Sequence, residues 1–339
     1  MAGENTQGLT KKDYMGAKST LCTGCGHDSI TSNIVNALFL ANVNPYDVAK
    51  LSGIGCSAKT TNYFLNSSHG FNAIHGRMAP LATGVKVAHS GLTALGVSGD
   101  GDTASIGFGG FAHLLRRNLP MTYIVENNGV YGLTKGQFSA TADKGTRHKD
   151  GTENPFETID ICSLAIDLGC SFVARSFSGD NKQLTALLMA AMKHHGTAVI
   201  DIISPCITFA NNEGSTRSFS AVKENLNPLN KIDVIQPQED IKVDYDPGTS
   251  REVELPDGSK IILSKIDEDH DPSNRLDAIT KLVHARESGK ILTGLFYVNE
   301  SQKTLMEELN LTKKPLRDLN EEETRPSESV LSDIMQDFK

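Results

Sequence analysis

One stretch constrains this chain more than any other: 97–135, VSGDGDTASIGFGGFAHLLRRNLPMTYIVENNGVYGLTK. An apolar run over 95–98 stops at Gly99-Asp100-Gly101-Asp102, and a second over 121–125 stops at Glu126-Asn127-Asn128-Gly129. Between them, over 104–117, Phe108, Phe111, Ala112 and Leu115 recur at helical spacing. Arg116 and Arg117 fall in the last turn and Pro120 follows, which are helix stop signals. Strand, helix and strand in so short a span predict a right-handed βαβ unit. Both polar tips then lie side by side at the carboxyl edge of a parallel sheet, where ligands of doubly wound α/β folds bind.

The residue types narrow the ligand. Asp100 is a hard oxygen donor, Asn128 offers a neutral carbonyl oxygen, and the neighbouring glycines let the backbone approach a bulky anion. Such a set suits Mg2+ bridging a diphosphate, with the N-terminus of the following helix aimed at the phosphates. Gly-Asp-Gly alone is also an ordinary turn. Joined to Asn-Asn at the end of a second strand, it resembles the thiamine diphosphate motif.

With 339 residues, 38% hydrophobic and 22% charged, the chain has the composition of a globular protein. No apolar run reaches membrane-spanning length, and a net charge of -8 argues against nucleic acid as a partner. The start, MAGENTQGLTKKDY, has no hydrophobic signal region, so a cytoplasmic protein is expected. Its six cysteines are then expected to be reduced ligands or buried side chains.

Cys22-Thr23-Gly24-Cys25 precedes a helix with Ile30, Ile34, Val35 and Leu38 on one face and Asp28 as a candidate cap. Cys-x-x-Cys before a helix can chelate a metal centre, and no strand precedes it as a thioredoxin-like redox motif requires. Cys56, in Gly53-Ile54-Gly55-Cys56-Ser57 after a short apolar segment starting near Val48, is a candidate third ligand. Cys206 is a fourth. Cys162 and Cys170 lie in an apolar helical stretch and read as small buried hydrophobes. Four such cysteines fit a [4Fe-4S] cluster or a structural zinc, and spacing alone does not choose.

Taken together, CTGCGH, GIGCSAK, HGRMAPLATGVKVA, GDGDTASIGFGGFAHLLRRN, ENNGVYGLTKGQFSAT and SPC resemble the β subunit of 2-oxoacid:ferredoxin oxidoreductases, particularly the 2-oxoglutarate type. The resemblance covers about 20–210. It implies an α/β, doubly wound, mostly parallel thiamine diphosphate-binding fold. It implies Cys22, Cys25, Cys56 and Cys206 as [4Fe-4S] ligands, and favours the cluster over zinc. It further implies Asp100, Asn128 and the Val130 carbonyl as Mg2+ ligands. Ile54, Gly55, Cys56, Ser57 and His75 would line the thiamine, with Gly99, Gly101, Asp102, Tyr131, Gly132 and Leu133 nearer the diphosphate and the reacting end. Lys59 would offer a cation to the substrate carboxylate and Lys135 would serve coenzyme A, against the alternative of solvated surface charges. For His75 and Arg77 the alternative is a hydrogen-bonded loop anchor. The implied reaction is oxidative decarboxylation of a 2-oxoacid to its acyl-CoA, with electrons passed to ferredoxin. The implied assembly is an α2β2 heterotetramer in which the second thiamine domain belongs to the α subunit. Two rivals are a non-redox thiamine enzyme, which needs no cluster, and a zinc-stabilised scaffold, which binds no thiamine.

The expected organisation is an N-terminal arm over 1–20, the thiamine diphosphate-binding domain over 21–215 and an extension over 216–339. A polar loop over 144–155 is expected above the site. Helices are expected over 158–168 and 184–194, with strands over 172–174 and 198–203; His194 and His195 read as helix-end cations. Beyond them, 225–247 has little hydrophobic pattern, and 252–263 reads as a hairpin turning at Pro-Asp-Gly. A helix over 274–287 is expected to bury Leu276, Ile279, Leu282 and Val283. The charged segment 311–339 reads as an arm against a partner.

Overall fold

The computed structural model describes residues 3–147, 151–206, 242–254 and 260–338. Its frame is a nine-stranded sheet in the order β2-β1-β3-β4-β8-β7-β11-β10-β9. The strands are β1 (Val48–Ser52), β2 (His69–Asn72), β3 (Thr93–Gly99), β4 (Met121–Asn127), β7 (Phe172–Phe177), β8 (Thr197–Ile203), β9 (Ser250–Glu254), β10 (Lys260–Lys265) and β11 (Ile291–Val298). The remaining two, β5 (Val130–Tyr131) and β6 (Gln137–Phe138), form a small ribbon. From β2 to β7 every pairing is parallel, and β11 joins β7 antiparallel. The predicted βαβ unit is present, and its register pairs Gly99 with Glu126, so the two polar tips are neighbours.

Two apolar layers sandwich the sheet because side chains alternate along each strand. Leu95, Val97, Ile124, Ile200 and Ile202 face α1 (Gly26–Leu40) and α5 (Asn181–Lys193). Ala94, Tyr123, Val125 and Val199 face the other layer, built by α2 (Met78–Ala88), α3 (Phe108–Arg116), α4 (Ile161–Asp167) and α6 (Arg275–Glu287). Both faces being covered explains why these strands read as continuous apolar runs. Cys162 and Cys170 are fully buried in this second layer, as small hydrophobes.

Three details differ from the sequence reading. The helix expected over 104–117 starts with a π turn, Asp102–Ile106, closed by Gly107 N donating to Asp102 O at 3.0 Å, before α3 begins. Gly107 is pressed against Gly76, where a Cβ would meet Gly76 O at 3.0 Å, so the widened turn follows from close packing beside the site. Phe108 is consequently left exposed, and Phe111, Leu114 and Leu115 form the buried face. The cap of α1 is Cys25, with Asp28 inside the first turn. In α6, Leu276 points outward, and Ala278 and Leu282 are the buried positions; Asn274 caps the helix and sets that phase.

The hairpin of β9 and β10 pairs Val253 with Ile261, and its turn, 255–259, lies outside the described residues, as does 225–241. In the polar loop, Arg147 bridges back to Glu153. His194 Nε2 meets Ser171 Oγ at 2.7 Å and His195 Nε2 meets Glu307 at 2.9 Å, so both histidines tie the α5 end to neighbouring chain. No described helix is long and apolar enough to cross a membrane. The short helices Glu321–Thr324 and Glu328–Gln336 of the C-terminal arm bury nothing.

Candidate active site

Where β1, β3 and β4 end, the sheet order reverses and a cleft of about 460 Å³ opens. Its wall gathers Ile54, Gly55, Cys56 and Ser57 from the β1 loop and Gly99, Asp100, Gly101 and Asp102 from β3. Asn128, Val130, Tyr131, Gly132 and Leu133 follow β4, and His75 precedes α2. The oxygen donors and the loops expected to face a thiamine therefore line one cavity.

Asp100 is 1% exposed and held from several sides. Its Oδ2 meets Thr141 Oγ1 at 2.5 Å, accepts from the Gly129 N–H at 3.1 Å, and meets the Ser139 hydroxyl. Asn128 Oδ1 accepts from the Val130 N–H at 3.1 Å, which sets Asp100, Asn128 and Val130 in one knot. A single carboxylate plus amide and carbonyl oxygens is a donor set that suits Mg2+ completed by phosphate and water. No group of three His, Cys, Asp or Glu side chains among the described residues forms a closed single-ion site.

Asp102 does different work. Its Oδ1 lies 2.5 Å from His75 Nδ1 and accepts from the Gly76 and Ile54 N–H groups at 2.7 and 3.3 Å, while Oδ2 accepts from Ser98 Oγ at 2.6 Å. One carboxylate thus buckles the loops after β1 and β2 to the end of β3, and holds the His75 ring at the cleft. Tyr131 packs edge-on to His75 at 6.0 Å and donates to Gly101 O at 3.1 Å.

The cysteines approach from the other flank. Cys25 caps α1, Cys56 follows the β1 loop, and Cys206 follows β8. A Cβ on Gly132 would lie 3.4 Å from Cys56 Sγ and 3.9 Å from Cys206 Sγ, so both sulfurs back onto one glycine of the cleft. Burial pushes the Cys25 thiol well up; burial, then the neighbouring Cys206, does the same for Cys56, against the pull of Lys59. None of the six cysteines is in a disulfide.

Lys59 and Lys135 do not line the cleft. Lys59 is half-buried on the turn after Cys56. Lys135 is exposed, with a φ of 78° that side chains other than glycine seldom adopt. Arg77 Nη1 donates to Gly76 O at 3.2 Å, a loop-anchoring contact.

His27, Glu126 and Thr134 also line the cleft, and the sequence reading assigned them no role. Glu126 is fully buried, accepts from Thr60 Oγ1 at 3.0 Å and lies 3.5 Å from His27, whose Nδ1 meets Ser204 Oγ at 2.7 Å. Burial pushes the Glu126 carboxyl well above its ordinary range and pulls His27 down to about 4, so for each group burial works against the charged form. The signal for Glu126 was a carboxylate ending an otherwise apolar strand; that for His27 was its place directly after the Cys-x-x-Cys loop.

Comparison with known proteins agrees with this geometry. The thiamine pyrophosphate enzyme C-terminal TPP binding domain matches residues 53–202, and the C-terminal family of the pyruvate ferredoxin oxidoreductase beta subunit matches 261–314. The β subunit of 2-oxoacid:ferredoxin oxidoreductase 2 from Aeropyrum pernix is 40% identical over 191 residues, 56% of this chain and 61% of that protein. The match thus spans less than two thirds of that relative's length. The 2-oxoglutarate synthase subunit KorB of Methanocaldococcus jannaschii is 34% identical over 218 residues, 62% of this chain and 79% of its own. A solved structure of 2-oxoglutarate:ferredoxin oxidoreductase from Magnetococcus marinus, with 2-oxoglutarate, coenzyme A and succinyl-CoA bound, superposes with a TM-score of 0.71 at 31% identity over 91% of each chain. The chain belongs to the family of β subunits of 2-oxoacid:ferredoxin oxidoreductases.

Proposed function

We propose that this chain is the β subunit of a 2-oxoglutarate:ferredoxin oxidoreductase, holding the diphosphate end of thiamine diphosphate and a [4Fe-4S] cluster. The observation that carries the reading is the single cleft in which an oxygen cradle at Asp100 and Asn128 backs, through Gly132, onto Cys56 and Cys206. When bound, thiamine diphosphate supplies the electron sink for decarboxylating a 2-oxoacid, and a cluster supplies a one-electron exit.

The residues divide the remaining work. Asp100, Asn128 and the Val130 carbonyl would hold Mg2+, and the hydroxyls of Ser139 and Thr141 keep the carboxylate aimed. Ile54, Gly55, Ser57 and His75 would face the thiamine, with Asp102 fixing the His75 ring. Cys22, Cys25, Cys56 and Cys206 would hold the cluster. Lys59 and Lys135, outside the cleft wall, would act at its mouth, on the substrate carboxylate and on coenzyme A.

The α subunit would complete the thiamine site in an α2β2 assembly that delivers electrons to ferredoxin. The preference for 2-oxoglutarate is supported by the relatives from Methanocaldococcus jannaschii and Magnetococcus marinus. The test is an anaerobic assay of the co-purified complex against 2-oxoglutarate, pyruvate and branched-chain 2-oxoacids, with coenzyme A and a ferredoxin or viologen acceptor. Acceptor reduction strongest with 2-oxoglutarate is expected. Decarboxylation without acceptor reduction, in protein lacking iron and sulfide, would sink the reading in favour of a non-redox thiamine enzyme.

A further inference from the structure

A second cavity, of about 770 Å³ and open to solvent, lies beside the cofactor cleft and shares no lining residue with it. It is reached from Asn127 and Ile203, at the ends of β4 and β8, and from Ile291 at the start of β11. Arg175, 6% exposed, lines it. The Arg175 Nε donates to Asp201 Oδ2 at 2.8 Å and Nη2 to Asp160 Oδ2 at 2.6 Å, while Nη1 has no partner among the described residues. A largely buried guanidinium with a donor to spare therefore forms part of the wall of an open cavity. Arg286 and Lys290 stand at the rim, both exposed and neither in an ion pair among the described residues. The carboxylates of the wall are Asp143, which has a partner of its own, and Asp160, engaged by Arg175.

A continuous polar chain leads from this cavity to the cofactor cleft. Asp201 Oδ1 accepts from Asn127 Nδ2 at 2.9 Å, Asn127 Oδ1 lies 3.0 Å from Thr141 Oγ1, and Thr141 Oγ1 lies 2.5 Å from Asp100 Oδ2. Thr141 has one hydroxyl proton, with Asp100 Oδ2, Asn127 Oδ1 and Ser139 Oγ all within reach of it. Whether Asp100 or Asn127 receives it is a choice that both ends of the chain bias.

We propose that this cavity is a second binding site, for a small oxyanion of the carboxylate or phosphate class. The anion is held between Arg175 Nη1 and the rim cations Arg286 and Lys290, and its occupancy is transmitted to Asp100 through Asp201, Asn127 and Thr141. The forked guanidinium matches the paired oxygens of either anion, and the two rim ions supply the balancing charge. Binding stands without the cofactor assignment; the coupling rests on it.

The test is isothermal titration of the purified complex with inorganic phosphate and, separately, with malonate, the cofactor cleft first saturated with Mg2+ and thiamine diphosphate. One saturable site is expected, weakened at least about tenfold in the Arg286→Ala/Lys290→Ala double variant, whose exposed side chains can be lost without unfolding. Response to phosphate alone marks a phosphoryl ligand, and response to malonate alone a dicarboxylate. Unsaturable binding of both, or equal affinity in wild type and double variant, overturns the site. A second titration reads coupling: the anion is expected to shift Mg2+–thiamine diphosphate affinity by about fivefold or more in wild type, and not in Thr141→Val. Anion binding without that shift overturns the coupling. Should the cofactor not bind at all, the functional reading fails, while the malonate titration still reports on the second site.

Discussion

Thr141 Oγ1 and Asp100 Oδ2 meet at 2.5 Å, although β4 and the ribbon of β5 and β6 separate them along the chain. The contact is buried and joins a hydroxyl to a carboxylate, the class of hydrogen bond that fixes a metal ligand's direction. Replacing Thr141 by Val removes the donor and keeps the shape. Mg2+-dependent thiamine diphosphate binding is expected to weaken about 10- to 100-fold, with iron and sulfide content unchanged. Calorimetry beside an iron assay checks both halves.

Gly101 and Gly132 should separate the two centres. A Cβ on Gly101 would fall 2.4 Å from the Tyr131 ring, forcing it off Gly101 O and away from His75. Gly101→Ala is expected to lower cofactor affinity at a stability cost of about 1–3 kcal/mol. A Cβ on Gly132 meets only ordinary contacts in the protein, but it would stand against Cys56 and Cys206. Gly132→Ala is therefore expected to fold normally and lose iron, as read by denaturant melts and metal analysis. Full iron retention would contradict the placement of the cluster.

Arg175 is predicted to be among the costliest single substitutions. It bridges Asp160 and Asp201 in the interior; burial raises the Asp160 carboxyl, but Arg175 and the Ser163 hydrogen bonds together hold it below its usual range. Arg175→Met leaves two buried carboxylates facing each other, at an expected cost of about 3–5 kcal/mol. Urea denaturation at neutral pH measures this, and Asp201→Asn, which retains a polar partner, should cost less.

Lys86 provides a pH signature far from the site. Near the end of α2 and 6% exposed, it donates to the carbonyls of Ser90 and Leu92 at 2.6 and 2.7 Å, and burial pulls it down from 10.5 to about 8. Between those values the folded chain holds this amine neutral while the unfolded chain keeps it protonated. Unfolding therefore takes up a proton, and raising the pH from about 8 towards 10.5 favours the fold. The contribution, bounded at about 3 kcal/mol, appears as the difference in melting temperature between wild type and Lys86→Met across that range. No difference in slope would refute it.

Much of the site was legible in the order of residues. Asp100, Asn128 and Cys25 sit at places where a regular pattern breaks, and a pattern break shows in one dimension. Asp102 was legible as a site residue but not as a buckle, because its partners His75, Ile54 and Ser98 come from three elements. The π turn at Asp102–Ile106 was hidden too, since it arises from Gly107 pressing on Gly76.

By itself the sequence determined the βαβ unit at 97–135, the oxygen donors at its tips and the cysteine pair before α1, because spacing and residue type act locally. The tertiary structure alone decided that Cys56 and Cys206 share Gly132, that Glu126 and His27 line the same cleft, and that Arg175 joins Asp160 to Asp201. These depend on sheet order and register, which place strands distant in the chain at adjacent positions. The burial that then sets each group's charge is a property of the packed sheet and of no segment alone.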